Sequence, residues 1–341
     1  MRILVIGGTQ FMGPHVVSGL TASGHDVVLL HRGDHEASGH VRHIHGDRRD
    51  PEVVAAAIAE TAPEVVVDMV AMLESDAIQL IQAALGDVRR IVLASSVDVY
   101  RAYGRLHGTE PGPVEPTPLT EDSPLREHLH PYRTDPRRPP DHPEAWRDDY
   151  DKIPIERAVL GAKDIEGVVL RLPMVYGPGD RQHRLWPYLK RMLDGRPRIP
   201  LGVTHSRWRT SRGYVSNVAG AVVLAALHER AFGRIYNVAE ETDEDEAAWV
   251  TAIGHTCDWP GNVVTVADDA LEGMLTSEAA RHHLYASSSR IRAELGYRES
   301  VNRESALAAT IAWEREHAPH GWPDSLFDYA AEDNVLSRDR V

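Results

Sequence analysis

Residues 1–13 read MRILVIGGTQFMG, and the fold follows from them. Met1 to Ile6 is a short apolar run rich in β-branched side chains. It breaks at Gly7 and Gly8 into a turn that closes on Gly13, and Pro14 with Val16, Val17 and Leu20 continues at helical spacing. The order strand, glycine turn, helix exposes backbone N–H groups and the positive end of a helix dipole, a ready site for a pyrophosphate. A second apolar run, Asp26 to Leu30, follows the Ser23-Gly24 break and completes a βαβ unit, which points to a dinucleotide. Where such units place an acid for the ribose hydroxyls of NAD, this chain has His31, Arg32 and Gly33. A guanidinium suits a 2′-phosphate, so NADP(H) is favoured, with NAD(H) as the other choice and an ordinary solvated Arg32 as the bland reading.

The chain has 341 residues, 42% of them hydrophobic, enough for a large core and a second lobe. Its net charge of −14 argues against a broad nucleic-acid surface. No run reaches the eighteen or so apolar residues of a membrane span, Cys257 has no partner for a disulfide, and a cytoplasmic location is expected. Arg207, Arg209 and Arg212 form a local cationic spot suited to a small anion.

Val41 to His45 reads as a third strand ending in Gly46-Asp47-Arg48, with Asp47 placed to accept from an adenine amino group. His43 and His45 share a face of that strand; with no third ligand nearby they read as solvated, and no metal is expected. A helix from Pro51, a strand over Val65 to Val70, a helix over Ala77 to Leu85 and a strand from Arg90 to Ala94 follow, the last running into Ser95-Ser96-Val97-Asp98-Val99-Tyr100. This alternation predicts an α/β fold, a doubly wound parallel sheet that binds ligands at the carboxyl ends of its strands. Ser96 lies at such an end, able to bond a substrate oxygen or to cap the next turn.

The order GGTQFMG, SSVDVY, KIPIE, RLPMVYGPGD, GYVSNVA and SSSRIRAELGY resembles the extended or atypical short-chain dehydrogenase/reductase family, the NAD-dependent epimerases and dehydratases of nucleotide sugars, over nearly the whole chain. The resemblance implies a Rossmann domain over 1–174 and 233–239, a substrate lobe over 175–232 and 240–315, and a tail over 316–341. It implies an NAD(P)-dependent oxidoreductase, epimerase or dehydratase acting on a hydroxyl or carbonyl carbon of a small molecule, a nucleotide sugar or a specialised metabolite, with a homodimer as the candidate assembly. Cofactor contacts then fall on Gly7, Thr9, Gln10, Phe11, Met12, Gly13, Arg32, Asp47, Arg48, Met69, Val70, Ala71, Lys152 and Pro173. Ser96 would polarise the reacting oxygen, Lys152 would hold the nicotinamide ribose, and a tyrosine would exchange the proton. Tyr100, Met174, Arg209 and Arg212 are the substrate candidates.

The chain departs from the family pattern at three places. Gln10 stands where the glycine turn usually has Gly, Met174 where epimerases often have Asn, and Asp148 where the Tyr-x-x-x-Lys pair has its tyrosine. Tyr150 comes two residues late. Pro154 requires the helix carrying Lys152 to begin near Asp151, which leaves Tyr150 in the extended segment before it, free of helical phase and able to serve as the displaced acid/base. Tyr100, Tyr103 and Tyr132 are the alternatives. A non-catalytic NAD(P)-binding protein with a regulatory or RNA-associated role is the second reading. Between Tyr100 and Tyr150 lie ten of the 22 prolines; residues 101–148 read as an irregular insertion, with 126–146 placed to cover the cleft. The charged tail is expected to be loosely held.

Overall fold

The structure is a computed structural model and describes residues 1–33, 41–270 and 277–338. Seven strands form one parallel sheet: β1 (Arg2–Ile6), β2 (Asp26–His31), β3 (Arg42–His45), β4 (Val65–Asp68), β5 (Arg90–Ser96), β6 (Glu166–Leu172) and a last strand, Ile235–Asn237. Their order across the sheet is Ile235–Asn237, β6, β5, β4, β1, β2, β3. The chain therefore winds outward from β1 in one direction and then, after β3, returns to β4 and winds in the other. Strand order reverses beside β1, which opens a crevice at the carboxyl ends there.

The near-continuous apolar strands are explained by cover on both faces. On one face α1 (Met12–Ala22) and the helix Val215–Leu227 bury Val16, Val17, Leu20, Val218 and Val222 against β1 and β5. On the other, α2 (Pro51–Thr61), α3 (Glu74–Ala84) and α5 (Lys152–Gly161) bury Val54, Ile58, Leu80, Ile155 and Val159 against the same sheet. Two helix starts are set by local chemistry. Asp50 caps α2 with Pro51 at its first position, and Asp151 caps α5 through a 2.8 Å bond from the Ile153 N–H, leaving Pro154 in the first turn.

The insertion holds some regular structure: α4 (Arg101–Leu106) follows β5 after a 3₁₀ turn over Val97–Val99, and another 3₁₀ turn spans Ala145–Asp148. The rest is tied down by side chains. Arg126 donates to the Asp98 carbonyl at 2.6 Å and pairs with Asp151, both charges being buried, and Glu110 accepts the N–H groups of Glu127 and His128. Asp148 accepts from the Arg138 and Thr134 N–H groups and from the Arg138 guanidinium, which fixes the strap over 134–148.

A smaller body built after β6 pairs Arg198–Gly202 with Asn262–Val266, and Met174–Tyr176 with Arg212–Tyr214, each in parallel. The tail is not loose. Its helix Tyr329–Arg338 buries Leu336 and returns Glu332 to Arg191 at 2.6 Å inside the protein; the last three positions, 339–341, lie outside the described residues. Leu336 is 1% exposed, so Leu336→Ala should cost about 2–5 kcal/mol of stability through lost burial and a residual cavity. An unchanged denaturant midpoint would show that the helix does not belong to the cooperative fold.

Candidate active site

A cavity of about 520 Å3 opens at the carboxyl ends of β1, β2 and β4 and falls within the size range of ligand sites, about 300–1,000 Å3. Gly7, Thr9, Gln10, Phe11, Met12, Arg32, Asp47, Arg48, Met69 and Val70 all line it. The turn can reach this close only as glycine. A Cβ on Gly7, whose φ is +86°, would stand 2.3 Å from Val70, and one on Gly13 would stand 2.4 Å from the Gly8 backbone. Phe11 caps α1 with φ +50° and offers the helix no side-chain hydrogen bond, so with Pro14 lacking an N–H it is the Met12 N–H that the first turn can present to an anion. Gln10 accepts the Gly13 N–H with its carbonyl and takes Arg181 on its side chain at 3.2 Å. The donor set, the turn and the cavity size fit a dinucleotide.

Several expected contacts are placed otherwise. Arg48 turns inward, its guanidinium 2.6 Å from Asp68 and 3.0 Å from Asp76, because two buried carboxylates need a counter-charge. It reaches the cavity wall only as part of that pair. Asp47 is bound by Arg49, whose hydrogen bonds hold its carboxyl down to about 2. Ala71 is fully buried and contributes a carbonyl to Lys152, while Pro173 packs near Gly213, and neither lines the cavity. Tyr100 is fully buried; its hydroxyl donates to Asn237 at 2.7 Å and accepts from Arg171 at 3.0 Å, so it braces the strand ends instead of meeting substrate. His43 and His45 do not stand as a solvated pair. Parallel register sets His31 opposite His45, the ligand-type nitrogens of the three lie within 4.8 Å of one another, and His31 Nε2 is 2.7 Å from His43 Nδ1 while its Nδ1 accepts the Gly33 N–H.

At the end of β5, Ser96 Oγ accepts the Asp98 N–H at 3.2 Å, which leaves the hydroxyl proton to donate. Lys152 opens α5, is buried, and gives its ammonium to the carbonyls of Ala71 (2.5 Å) and Ala94 (3.0 Å); burial lowers its pKa. Tyr150, just before the helix, donates its hydroxyl to Asp98 Oδ2 at 2.9 Å, and the Lys152 ammonium lies 5.8 Å from its ring. Burial, reinforced by Asp98, raises the Tyr150 pKa well above the ordinary phenol range, so the phenol keeps its proton.

A second cavity of about 190 Å3 lies in the smaller body, walled by Met174, Tyr176, Tyr188, Trp208 and Trp249. Arg212 lines it but is paired with buried Glu246 and sits over the Trp249 ring at 4.4 Å. Arg209 is on the surface, 2.7 Å from Asp243, and outside the lining. Neither arginine therefore presents an unneutralised charge for a phosphate.

The family described as NAD dependent epimerase/dehydratase matches residues 3–239. The chain belongs to that family. It is 27% identical over 268 residues to a 3-diazoavenalumate denitrifying reductase of a Streptomyces species, covering 76% of this chain and 83% of that one. It is 27% identical over 278 residues to a 2'-dehydrokanamycin reductase of Streptomyces kanamyceticus, covering 78% and 69%. Among solved structures, a UDP-glucose 4-epimerase of Thermotoga maritima with UDP-glucose superposes with a TM-score of 0.68 at 17% identity over 94% of this chain and all of that one. Within the family the chain is an NAD(P)-dependent oxidoreductase or epimerase.

Two features of the site escaped the sequence reading. Asp98, two residues after Ser96, carries the only carboxylate that any hydrogen bond among the described residues gives to Tyr150; an acid between two valines just after a buried strand was its signal. Arg181 overhangs the cavity from the segment after β6, and shares its lining with Trp146 at the end of the 126–146 stretch that the sequence places over the cleft. For Arg48 the expected outcome of Arg48→Met is a loss of stability on the order of 3–5 kcal/mol from two unpaired buried carboxylates. A normal denaturant midpoint combined with weakened cofactor binding would contradict the structural role and restore the adenine contact.

Proposed function

We propose that this protein reduces a carbonyl, or oxidises the corresponding hydroxyl, of a small specialised metabolite with NADP(H), and that Tyr150 exchanges the proton. The observation that carries the reading is the clustering of Ser96, Tyr150 and buried Lys152 around Asp98 at the carboxyl end of β5. When bound, the dinucleotide supplies or accepts the hydride. Ser96 then bonds the reacting oxygen and polarises it, and Tyr150 delivers its proton to that oxygen as charge develops. Lys152 holds a positive charge beside Tyr150, which favours the phenolate left behind. A purely non-catalytic role would have no use for a buried cation and an acid set around one tyrosine.

The substrate class is argued from the smaller body. Its cavity is small and aromatic, and the arginines at the two positions expected to grip a diphosphate are each neutralised by a carboxylate. That favours a metabolite lacking a nucleoside diphosphate over a nucleotide sugar, and neither Streptomyces reductase is named for a nucleotide sugar.

Arg32 supports NADP(H): it is exposed and lines the cavity at the end of β2. Arg32→Ala should weaken NADPH by tenfold to more than a hundredfold, the worth of a charge-assisted contact of roughly 1.5–3 kcal/mol, and leave NADH nearly unchanged, as read by calorimetry. Equal losses for both cofactors would reject the assignment. For the proton, a panel of small carbonyl compounds is to be screened by NADPH consumption. With any compound that turns over, Tyr150→Phe should lower kcat on the order of 10²-fold or more with NADPH affinity intact. Turnover close to that of the unaltered protein would move the role to another group.

A further inference from the structure

Tyr150 does not stand alone. Tyr103 donates its hydroxyl to the Tyr132 hydroxyl at 2.8 Å, Tyr132 donates to Asp98 Oδ2 at 3.2 Å, and Tyr150 donates to the same oxygen at 2.9 Å. The chain of four groups starts in the interior at Tyr150 and Asp98, both buried, and ends at half-buried Tyr103, whose ring lies 4.3 Å from that of exposed His107. From this geometry we infer that Asp98, Tyr132 and Tyr103 form a proton relay that refills Tyr150 from solvent, by a route through the insertion and separate from the mouth of the cofactor cavity. The inference rests on Tyr150 being the proton donor.

Three observations support it. With a carboxyl proton on Asp98 Oδ2 the 2.9 Å contact is donated by Asp98 to the Tyr150 oxygen, while Tyr132 still donates to Asp98 and Tyr103 to Tyr132, so the three contacts form one unbroken line toward Tyr150, as delivery requires. Asp98 Oδ1 is buried with no hydrogen-bond partner among the described residues, an arrangement costly for a charged carboxylate and far less so for a carboxyl group carrying a proton. The groups facing Asp98 from the packed elements are Arg126 on its own backbone carbonyl, Lys152 and Asp151 of the α5 start, and the two tyrosines. Burial outweighs the two cations and raises the Asp98 pKa, so Asp98 keeps its proton to a higher pH than an ordinary aspartate.

The steps balance. As the Tyr150 O–H bond breaks and its proton passes to the substrate oxygen, the carboxyl proton of Asp98 moves to the Tyr150 oxygen. The Tyr132 proton then moves to Asp98, the Tyr103 proton to Tyr132, and a water at the surface restores Tyr103 and leaves hydroxide in the solvent. One proton enters at Tyr103 for each one placed on substrate, and oxidation runs the line in reverse. No electron moves along it. Asp98, Tyr132 and Tyr103 touch no substrate in this scheme and are relay residues. Tyr132 and Tyr103 are held in place by the insertion and by α4, which gives the proline-rich segment a chemical task.

The test needs neither substrate nor cofactor. In the full-length protein the carbonyl stretch of a protonated Asp98 is identified by infrared difference spectroscopy against Asp98→Asn, and its shift on mixing into heavy water is followed in time. The expected result is a band that persists above the ordinary carboxylate range and exchanges rapidly, with Tyr132→Phe and Tyr103→Phe each slowing the exchange at least tenfold while circular dichroism stays unchanged. Tyr103→Phe removes one oxygen at the half-buried end and keeps the test informative should Tyr132→Phe fail to fold. Exchange as fast as in the unaltered protein in both variants, or no protonated band at neutral pH, would overturn the relay. Either result would leave the turnover test of Tyr150 standing, so the two readings fail separately.

Discussion

One buried ammonium joins the parts of the site. Lys152 is 4% exposed, and its ammonium donates to two carbonyls, that of Ala71 after β4 and that of Ala94 within β5. Removing a cation from water costs several kcal/mol unless charge and hydrogen bonds replace the lost hydration. Two carbonyls and the nearby carboxylates of Asp68 and Asp76 supply that replacement, which fixes the end of β4, the end of β5 and the first turn of α5 relative to one another. The loop after β4, the serine after β5 and the tyrosine before α5 are thereby held at one place.

The same solution recurs through the interior. Arg126 with Asp151, Arg171 with Glu156, Arg48 with Asp68 and Asp76, Arg212 with Glu246 and Arg191 with Glu332 are all buried pairs, and most of them join segments far apart in the chain. Breaking such a pair strands a charge, so each one specifies an arrangement more than it adds stability. In the insertion this replaces what regular structure does elsewhere. A segment too rich in proline for long helices or strands is held by guanidinium forks, and its Trp146 reaches the cofactor cavity as a result.

The fold was readable because its signals are local. The apolar β1, the glycine turn and the alternation of strands with helices depend on residues adjacent in sequence, and Pro154 with Asp151 marked the start of α5 through a constraint on one backbone turn. What the sequence made legible of the candidate site is position: Ser96 at the end of β5, Lys152 at the start of α5 and the glycine turn after β1. The site was not readable where a side chain's role depends on a distant partner. Arg48, Arg209, Arg212 and Tyr100 each carry a plausible ligand group, yet carboxylates or an asparagine far along the chain engage them first. His31 joined the other two histidines only because β2 and β3 align in parallel register. The docked tail likewise depended on Arg191 and Arg196, some 140 residues earlier by the 141- and 137-residue separations of their bonds.

The central claim is that Tyr150, and no other tyrosine, stands at the hydride-transfer position. The most direct measurement is nuclear magnetic resonance of the protein with 13C in its tyrosine rings and NADPH bound, recording Overhauser contacts from the nicotinamide protons. The account expects a contact to one tyrosine ring whose signal disappears in Tyr150→Phe. Contacts only to another tyrosine, or to none while NADPH is bound, would contradict it.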